Sequence, residues 1–374
     1  MKNNYCILLT CLGGYGGLSL MEDFKKGKRI DNVKWIGTHN DRYMLARSNA
    51  DVNYFVPSAM NNVNKYLDVT MRIIEKEKVD LFIPKSDAEV AAIFPYIDKI
   101  GCKTFLPNYL EISATQDKYD FYLILKNANV PTPKTINVLG FDQLSNYLAE
   151  LPTVDNRYWL RIKTAGTAGA YGATWVQNEK EAKEWIEKWV VKKDVKISDF
   201  IISEYLPGRL FECIMLYYNG TLKLAKIYEN LKFATGGDPN NFGVGSTPIL
   251  ARTVSDSIAV SALDNAVSAV ESAARYVNTK PNGVYHLSAK LNENGIPCIT
   301  EVNIGRTPST VSIFNRTGRY NLAEYFLYYA LDIDINDPST VYDIDESNKY
   351  IVRSLDYPIS IIGKKDLEEI KELN

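Results

Sequence analysis

Trp159-Leu160-Arg161-Ile162-Lys163 runs directly into Thr164-Ala165-Gly166-Thr167-Ala168-Gly169-Ala170-Tyr171-Gly172, and this join decides how the chain is read. The first stretch alternates as a strand, so Arg161 and Lys163 project to one side. The second is built of small residues and glycines, a loop suited to closing over phosphate groups with backbone donors and one ammonium. Residues 173–176 return as a strand.

Outward from this join, three further segments fit the same task in fixed order. Upstream, Gln116-Asp117-Lys118-Tyr119 lies in a helix expected over 113–128, with Ser113 or Thr115 as its cap and Pro131 and Pro133 beyond its end. Downstream, Phe200-Ile201-Ile202-Ser203-Glu204-Tyr205-Leu206-Pro207-Gly208 is an apolar strand leaving into a turn. Its backbone can meet a purine edge while Glu204 reaches a ribose or an adenine amine. Last, Ile299-Thr300-Glu301-Val302-Asn303 is the return strand of a hairpin. Glu301 and Asn303 share one strand face, a carboxylate and an amide carbonyl that suit magnesium as hard oxygen ligands. Arg306 follows, able to fork onto phosphate or carboxylate oxygens. Taken singly, each segment also reads as ordinary structure. Together they describe ATP held between two sheets, with a carboxylate to be activated.

Residues 1–110 alternate short apolar runs with helical patterns, with strands expected at 5–12, 33–37, 53–56, 80–84 and 103–106. Tight connections between such units imply a mostly parallel, open sheet. Gly13-Gly14-Tyr15-Gly16-Gly17 invites a dinucleotide reading, but the third glycine of that spacing falls on Ser19 and no acid ends the second strand. A structural turn, or part of a ligand pocket without NAD, is the better account, and an oxidoreductase is the weakest of the function classes considered. Longer strands and hairpins follow from 159 to 303, with Asn219-Gly220 as a hairpin turn. An amphipathic helix is expected over 257–277 and another over 322–331.

Composition excludes several classes. Over 374 residues, Lys and Arg total 43 and Asp and Glu 45, a net charge of −2 that argues against a basic nucleic-acid binder. The 46% hydrophobic and 24% charged content is that of a globular chain. No apolar run approaches the ~18 residues of a membrane span. The start, MKNNYCILLTCLGGYGG, reads as a first strand and not as a leader, so a cytoplasmic location is expected. The five cysteines (Cys6, Cys11, Cys102, Cys213 and Cys298) are scattered, and His39 and His286 are the only histidines. A zinc site is therefore disfavoured, and without a G-x-S-x-G elbow so is a serine hydrolase.

On these four segments the chain resembles the ATP-grasp superfamily over residues 1–330, most closely its carbamoyl-phosphate-synthase-like and carboxylate–amine ligase branches. Residues 79–89 resemble the stretch that closes the family's N-terminal domain. The resemblance implies an α/β and α+β architecture. A parallel-sheet pre-ATP-grasp domain (1–112) precedes a small lobe with the phosphate loop (113–205). A large lobe with the metal and substrate site (206–335) follows, with a tail (336–374) packed on it. It further implies that Lys118 and Lys163 contact ATP phosphates beside Arg161, and that Gly166 and Gly169 belong to a mobile phosphate loop. Glu204, Tyr205 and Leu206 would form the adenine hinge, and Glu301 with Asn303 would bind Mg2+ (or Mn2+).

Three departures accompany the likeness. Ser288 stands where relatives place an acidic or amide metal ligand. Glu212 is the nearest carboxylate to the position that holds ribose. The arginine found two residues after the asparagine is one place later, at Arg306. The implied activity is an ADP-forming carbon–nitrogen ligase. A substrate carboxylate takes the γ-phosphate as an acyl phosphate, which Arg306 and Lys163 steady before an amine or other nucleophile displaces phosphate. Ser288 motivates the alternative, an ATP-binding protein with reduced or lost catalysis. The expected partners are small-molecule carboxylates and amines, with neither nucleic acid nor membrane; a homodimer is left open.

Overall fold

The computed structural model describes residues 4–27, 30, 32–164, 172–193, 195–234, 247–308, 310–354 and 368–373. Among these the chain forms three sheets. The first is parallel: β1 (Tyr5–Leu9), β2 (Val33–His39), β3 (Val52–Phe55), β4 (Leu81–Ile83) and β5 (Lys103–Thr104), in the order β3-β2-β1-β4-β5. Helix α1 (Tyr15–Lys25) sets Leu20, Met21 and Phe24 against Ile7 and Leu9 on one face. From the other side, α3 (Val63–Glu77) sets Tyr66, Ile73 and Ile74 against Leu8, Ile36 and Phe82. Two covered faces explain why these strands are short, continuous apolar runs.

Between them lies α2 (Arg42–Leu45). It fills the glycine turn: Gly13 has φ +106°, and a Cβ there would stand 1.7 Å from the Met44 carbonyl oxygen. The turn is closed by the protein's own chain, which accounts for its glycines without a dinucleotide.

Helix α4 (Asp87–Ile93) opens with Ser86 and Glu89 capping one another's backbone. The single helix expected over 113–128 is instead two, α5 (Tyr109–Gln116) and α6 (Lys118–Asn127). Asp117 makes the break. Its backbone turns to extended values and its carboxylate accepts from the Tyr119 and Asp120 N–H groups, so Asp117 is the cap in place of Ser113 or Thr115. Asn108 caps the earlier helix.

The second sheet is antiparallel, with β6 (Thr135–Asn137), β7 (Tyr158–Ile162), β8 (Thr174–Val176) and β9 (Phe200–Glu204) in the order β6-β9-β7-β8. Leu160, Phe200 and Ile202 pack beneath α7 (Leu144–Glu150) and α8 (Glu179–Lys193).

The third sheet runs β14-β13-β10-β11-β12-β15, from β10 (Leu210–Tyr218), β11 (Thr221–Phe233), β12 (Pro248–Arg252), β13 (Gly283–Leu291), β14 (Pro297–Ile304) and β15 (Tyr350–Val352). Asn219 and Gly220 both take positive φ, 50° and 86°, at the turn expected there. One face carries Phe211, Cys213, Met215, Ile227 and Leu287 against the alanines of α9 (Ser257–Tyr276). The other carries Ile214, Leu216, Leu224 and Val284 against α10 (Val311–Phe314), α11 (Leu322–Ala330) and the first sheet. Followed along the strands, this second face changes from apolar to polar at Glu212, Ser288 and Glu301, and there the site lies.

The tail expected to pack wholly on the large lobe divides. Residues 341–345 lie on β11, where Asp343 pairs with the buried Lys226 at 2.7 Å, and β15 extends the sheet edge. Lys371 instead joins the first sheet, exchanging backbone hydrogen bonds of 3.0 Å with Phe55 and Asn53 on β3. Among the described residues, no helix is long and apolar enough to cross a membrane.

Candidate functional site

Register places the acids. Glu212 on β10 stands opposite Ser288 on β13, and Ser288 opposite Glu301 on β14, while His286 faces Asn303 one step along. Glu212, Ser288 and Glu301 therefore form one row across three strands. A bulge beside Ser288 leaves Thr300 as the extra residue of β14. Glu301 keeps 39% of its side chain exposed, so its carboxylate can meet a ligand. Ser288 Oγ donates to Glu212 Oε2 at 2.8 Å, and His286 Nε2 lies 2.9 Å from the same oxygen.

The cations arrive from the second sheet and from the start of α6. Arg161, buried on β7, reaches across to β14: Nη2 donates to the Thr300 carbonyl at 2.9 Å and Nη1 stands 3.7 Å from Glu301 Oε2. Lys163 leaves the end of β7 with its Nζ 3.9 Å from Asp117 Oδ2. Lys118, first residue of α6, donates its backbone N–H to the Lys163 carbonyl at 2.8 Å. The break at Asp117 thus sets the two lysines side by side. Burial holds the Lys118 ammonium below its ordinary pKa; Glu301 opposes that shift, Arg161 adds to it, and Asp117 and Asp87 oppose it. A buried ammonium short of compensating charge is suited to receive phosphate oxygens.

Arg306 closes the site from the side of the first sheet. Its Nε donates to Asp87 Oδ1 at 2.8 Å and its Nη2 to Asn303 Oδ1 at 2.9 Å. The shifted arginine has a structural cause. Gly305 has φ +84°, and a Cβ there would stand 2.9 Å from Ile112 Cδ1 and 3.1 Å from Val90 Cγ1. Any side chain at 305 would be strained at that φ, and the next residue supplies the guanidinium. Beside it, Lys85 Nζ donates to the Thr307 carbonyl at 3.3 Å, and burial pulls its pKa down to about 8.

At the other end, Glu204 is tied to the neighbouring strand. Its N–H donates to the Lys134 carbonyl at 2.9 Å, and its Oε2 accepts the Lys134 N–H at 3.2 Å. Burial pushes its carboxyl pKa up, against the Lys134 bond. Leu206 is buried, and the Tyr205 ring lies under Arg157 and Lys290, whose cationic groups stand 5.7 and 5.3 Å from its centre.

The structure brings Lys118, Arg161, Lys163, Glu301, Asn303 and Arg306 to one place. Gly166 and Gly169 lie outside the described residues, as does most of the loop expected to meet phosphate. Sequence reasoning did not single out Asp87, Asp117 or Lys290 for the site. Asp87 lies within the 79–89 stretch and Asp117 directly precedes Lys118, but which neighbours they bind depends on the folded chain.

The donor set suits a hard divalent cation. Glu301 is partly open with only a long ion pair, and Asn303 Oδ1 has a second lone pair beyond its bond to Arg306. Among the described residues, no group of three or more His, Cys, Asp or Glu is placed to enclose a metal. A cation here would rely on nucleotide oxygens and water for its remaining ligands.

No protein-family model matches the chain, and no curated protein matches its sequence. Solved structures do. The biotin carboxylase domain of the Hydrogenobacter thermophilus 2-oxoglutarate carboxylase, in complex with MgADP and bicarbonate, superposes with a TM-score of 0.68 at 14% identity, covering 94% of this chain and 74% of that one. The Aspergillus clavatus carboxyaminoimidazole ribonucleotide synthase, complexed with ATP, gives 0.64 at 16% identity over 92% and 80%. The fold is ATP-grasp. The L-amino acid ligase of Bacillus licheniformis shares it as well, with a TM-score of 0.63 at 14% identity over 88% of this chain and 75% of that one. At these identities, likeness among ATP-grasp chains concerns architecture, and the chemistry must be argued from this chain's own side chains.

Proposed function

We propose that the chain is an ATP-dependent, ADP-forming ligase that joins a carboxylate to an amine, with domains divided near 112, 205 and 335. One observation carries the reading. Arg161 and Lys163 from β7 and its end, with Lys118 from the start of α6, meet Glu301 and Asn303 of the third sheet and Arg306, which follows β14 and is braced on Asp87 of α4. Two sheets and two helices supply opposite charges to one cleft, an arrangement a packed core has no use for.

In this reading Lys118 and Lys163 hold the phosphates of ATP, and the backbone at Tyr205 and Leu206 receives the adenine beside Glu204. Glu301 and Asn303 hold Mg2+, with Mn2+ as a substitute. The cation supplies neutralisation of phosphate charge as it moves toward the carboxylate. Arg306, braced by Asp87, presents its remaining N–H groups to the acyl phosphate, so positioning and charge do most of the work. Similarity of fold to an L-amino acid ligase and to a carboxyaminoimidazole ribonucleotide synthase complexed with ATP supports this class.

An ADP-release screen of amino acids and small carboxylates paired with amines, with magnesium present, tests the proposal. Turnover dependent on both substrates, lost in Lys163→Ala and Glu301→Ala with the fold retained, supports it. Unchanged turnover in both variants overturns it. One observation favours a second reading, an ATP-binding protein with weakened catalysis. Ser288 brings no charge, and its hydroxyl is committed to Glu212. MgATP binding with no ADP release across the panel supports that reading.

A further inference from the structure

Lys290 carries a charge to which neither the fold nor the proposed reaction gives a task. On β13 it shares a strand face with Ser288 and His286. The register sets it opposite Leu210 of β10, where Ser288 stands opposite Glu212. It therefore lies two residues, about 7 Å along the strand, past the row of acids and toward residues 204–206. Backbone bonds fix it to that turn. Gly208 donates its N–H to the Leu291 carbonyl at 3.0 Å, and the Leu291 N–H donates to the Arg209 carbonyl at 3.0 Å. A Cβ at Gly208 would stand 2.5 Å from Leu291 Cβ, so the chain leaving β9 lies tightly against the end of β13. The Lys290 ammonium itself stands 5.3 Å from the centre of the Tyr205 ring.

Among the described residues, that ring is the one partner Lys290 has: it makes no hydrogen bond and no ion pair. Burial alone pulls its ammonium below the ordinary pKa, with no carboxylate opposing the shift. Lys118 and Lys163 differ, since Glu301 and Asp117 stand near them. An ammonium donates and cannot accept, so what completes Lys290 is an acceptor. The phosphates are met at the other end of the face, beside Glu301. The group that reaches the hinge in the nucleotide reading is the purine, whose ring nitrogens are acceptors, and a hydrogen bond from a cation is about twice as strong as a neutral one.

Resting on the nucleotide-binding part of the proposed function, we propose that Lys290 is a base-recognising residue that donates from its ammonium to a purine ring nitrogen left free by the backbone at 205 and 206. The Tyr205 ring steadies the ammonium for that contact. Preference for the base is then set from both lobes, by the backbone that leaves β9 and by one side chain of the third sheet.

The test is calorimetry on the full chain and on Lys290→Met, titrated with MgADP, with its 3-deaza and 7-deaza analogues, and with magnesium tripolyphosphate, which has no base. MgADP should bind the variant roughly tenfold more weakly, while tripolyphosphate binds both proteins alike and so reports a folded variant. One deaza analogue should bind the parent as weakly as MgADP binds the variant, with no further loss when the two changes are combined. Equal MgADP affinity in parent and variant overturns the assignment alone, as does a parent that binds both deaza analogues as it binds MgADP. A loss that persists with tripolyphosphate overturns it in favour of a phosphate contact. Should the variant bind nothing, the deaza analogues on the parent decide by the same criterion. A parent that binds neither MgADP nor tripolyphosphate overturns the nucleotide reading, and the base contact with it. Affinity is the readout, so the outcome is independent of which carboxylate and amine are joined.

Discussion

Glu89 and Glu212 are nearly equally buried, at 6% and 7% exposure, and their surroundings differ in kind. Glu89, at the end of the parallel sheet, is enclosed by donors. Its Oε2 accepts from Thr10 Oγ1 at 2.6 Å, from the Ser86 and Lys85 N–H groups at 3.1 and 3.3 Å, and from Cys11 Sγ at 3.5 Å. Two of those four donors belong to the turn that begins α4 and two to the turn after β1, so the carboxylate ties these two turns together. Glu212 takes one well-formed bond, from Ser288 at 2.8 Å, with His286 Nε2 at 2.9 Å and Asn230 Nδ2 at 3.5 Å, all side chains of the third sheet. Burial alone does not distinguish these two acids; the kind of donors around them does.

The largest expected effect lies at the open end of this contrast. Lys163→Ala and Glu301→Ala should each lower substrate-dependent ADP release on the order of a thousandfold, with circular dichroism unchanged. Rates within a few-fold of the parent would show that the cleft's charges are not catalytic. Glu89→Ala should do the reverse, costing about 1–3 kcal/mol of stability by urea unfolding through unsatisfied buried donors and leaving MgADP affinity intact. A loss of nucleotide affinity without a loss of stability would dissolve the contrast. Gly305→Ala tests both at once. Strain at positive φ costs about 1–2 kcal/mol, and displacement of Arg306 should slow turnover beyond what the lost stability explains.

Smaller effects sharpen the picture. Asp117→Ala should cost about 1 kcal/mol as a lost helix cap and weaken MgATP binding as well, because the same carboxylate stands 3.9 Å from Lys163 Nζ. Lys85 gives a pH signature. Its folded pKa is about 8 against an ordinary 10.5. Between those values the folded chain has released a proton that the unfolded chain still binds, so stability rises with pH across that window. Below it both states are protonated and the dependence fades. Lys85→Met should flatten the rise in urea titrations, and an identical slope in both proteins would contradict the assignment.

Much of the fold was legible because periodicity reports burial. The apolar runs of the parallel sheet, the Asn219-Gly220 turn and the shared face of Glu301 and Asn303 all follow from local pattern. What escaped depends on partners distant in sequence. The break at Asp117 is stabilised by the Lys118 N–H reaching the Lys163 carbonyl, which no window around 117 contains. Arg161 meets Thr300 and Glu301 across two sheets. The position of Arg306 follows from Ile112 and Val90 crowding Gly305. The return of Lys371 to β3 has no periodic signal at all.

The bond from the Lys118 amide to the Lys163 carbonyl makes residues 118 to 163 a closed loop of chain whose two ends are clasped. Whatever length of sequence fills that circuit, the spacing between the two ammonium groups is set at the clasp. Insertions and deletions within it are therefore tolerated, and chains that share this device can carry their paired lysines at quite different separations in sequence.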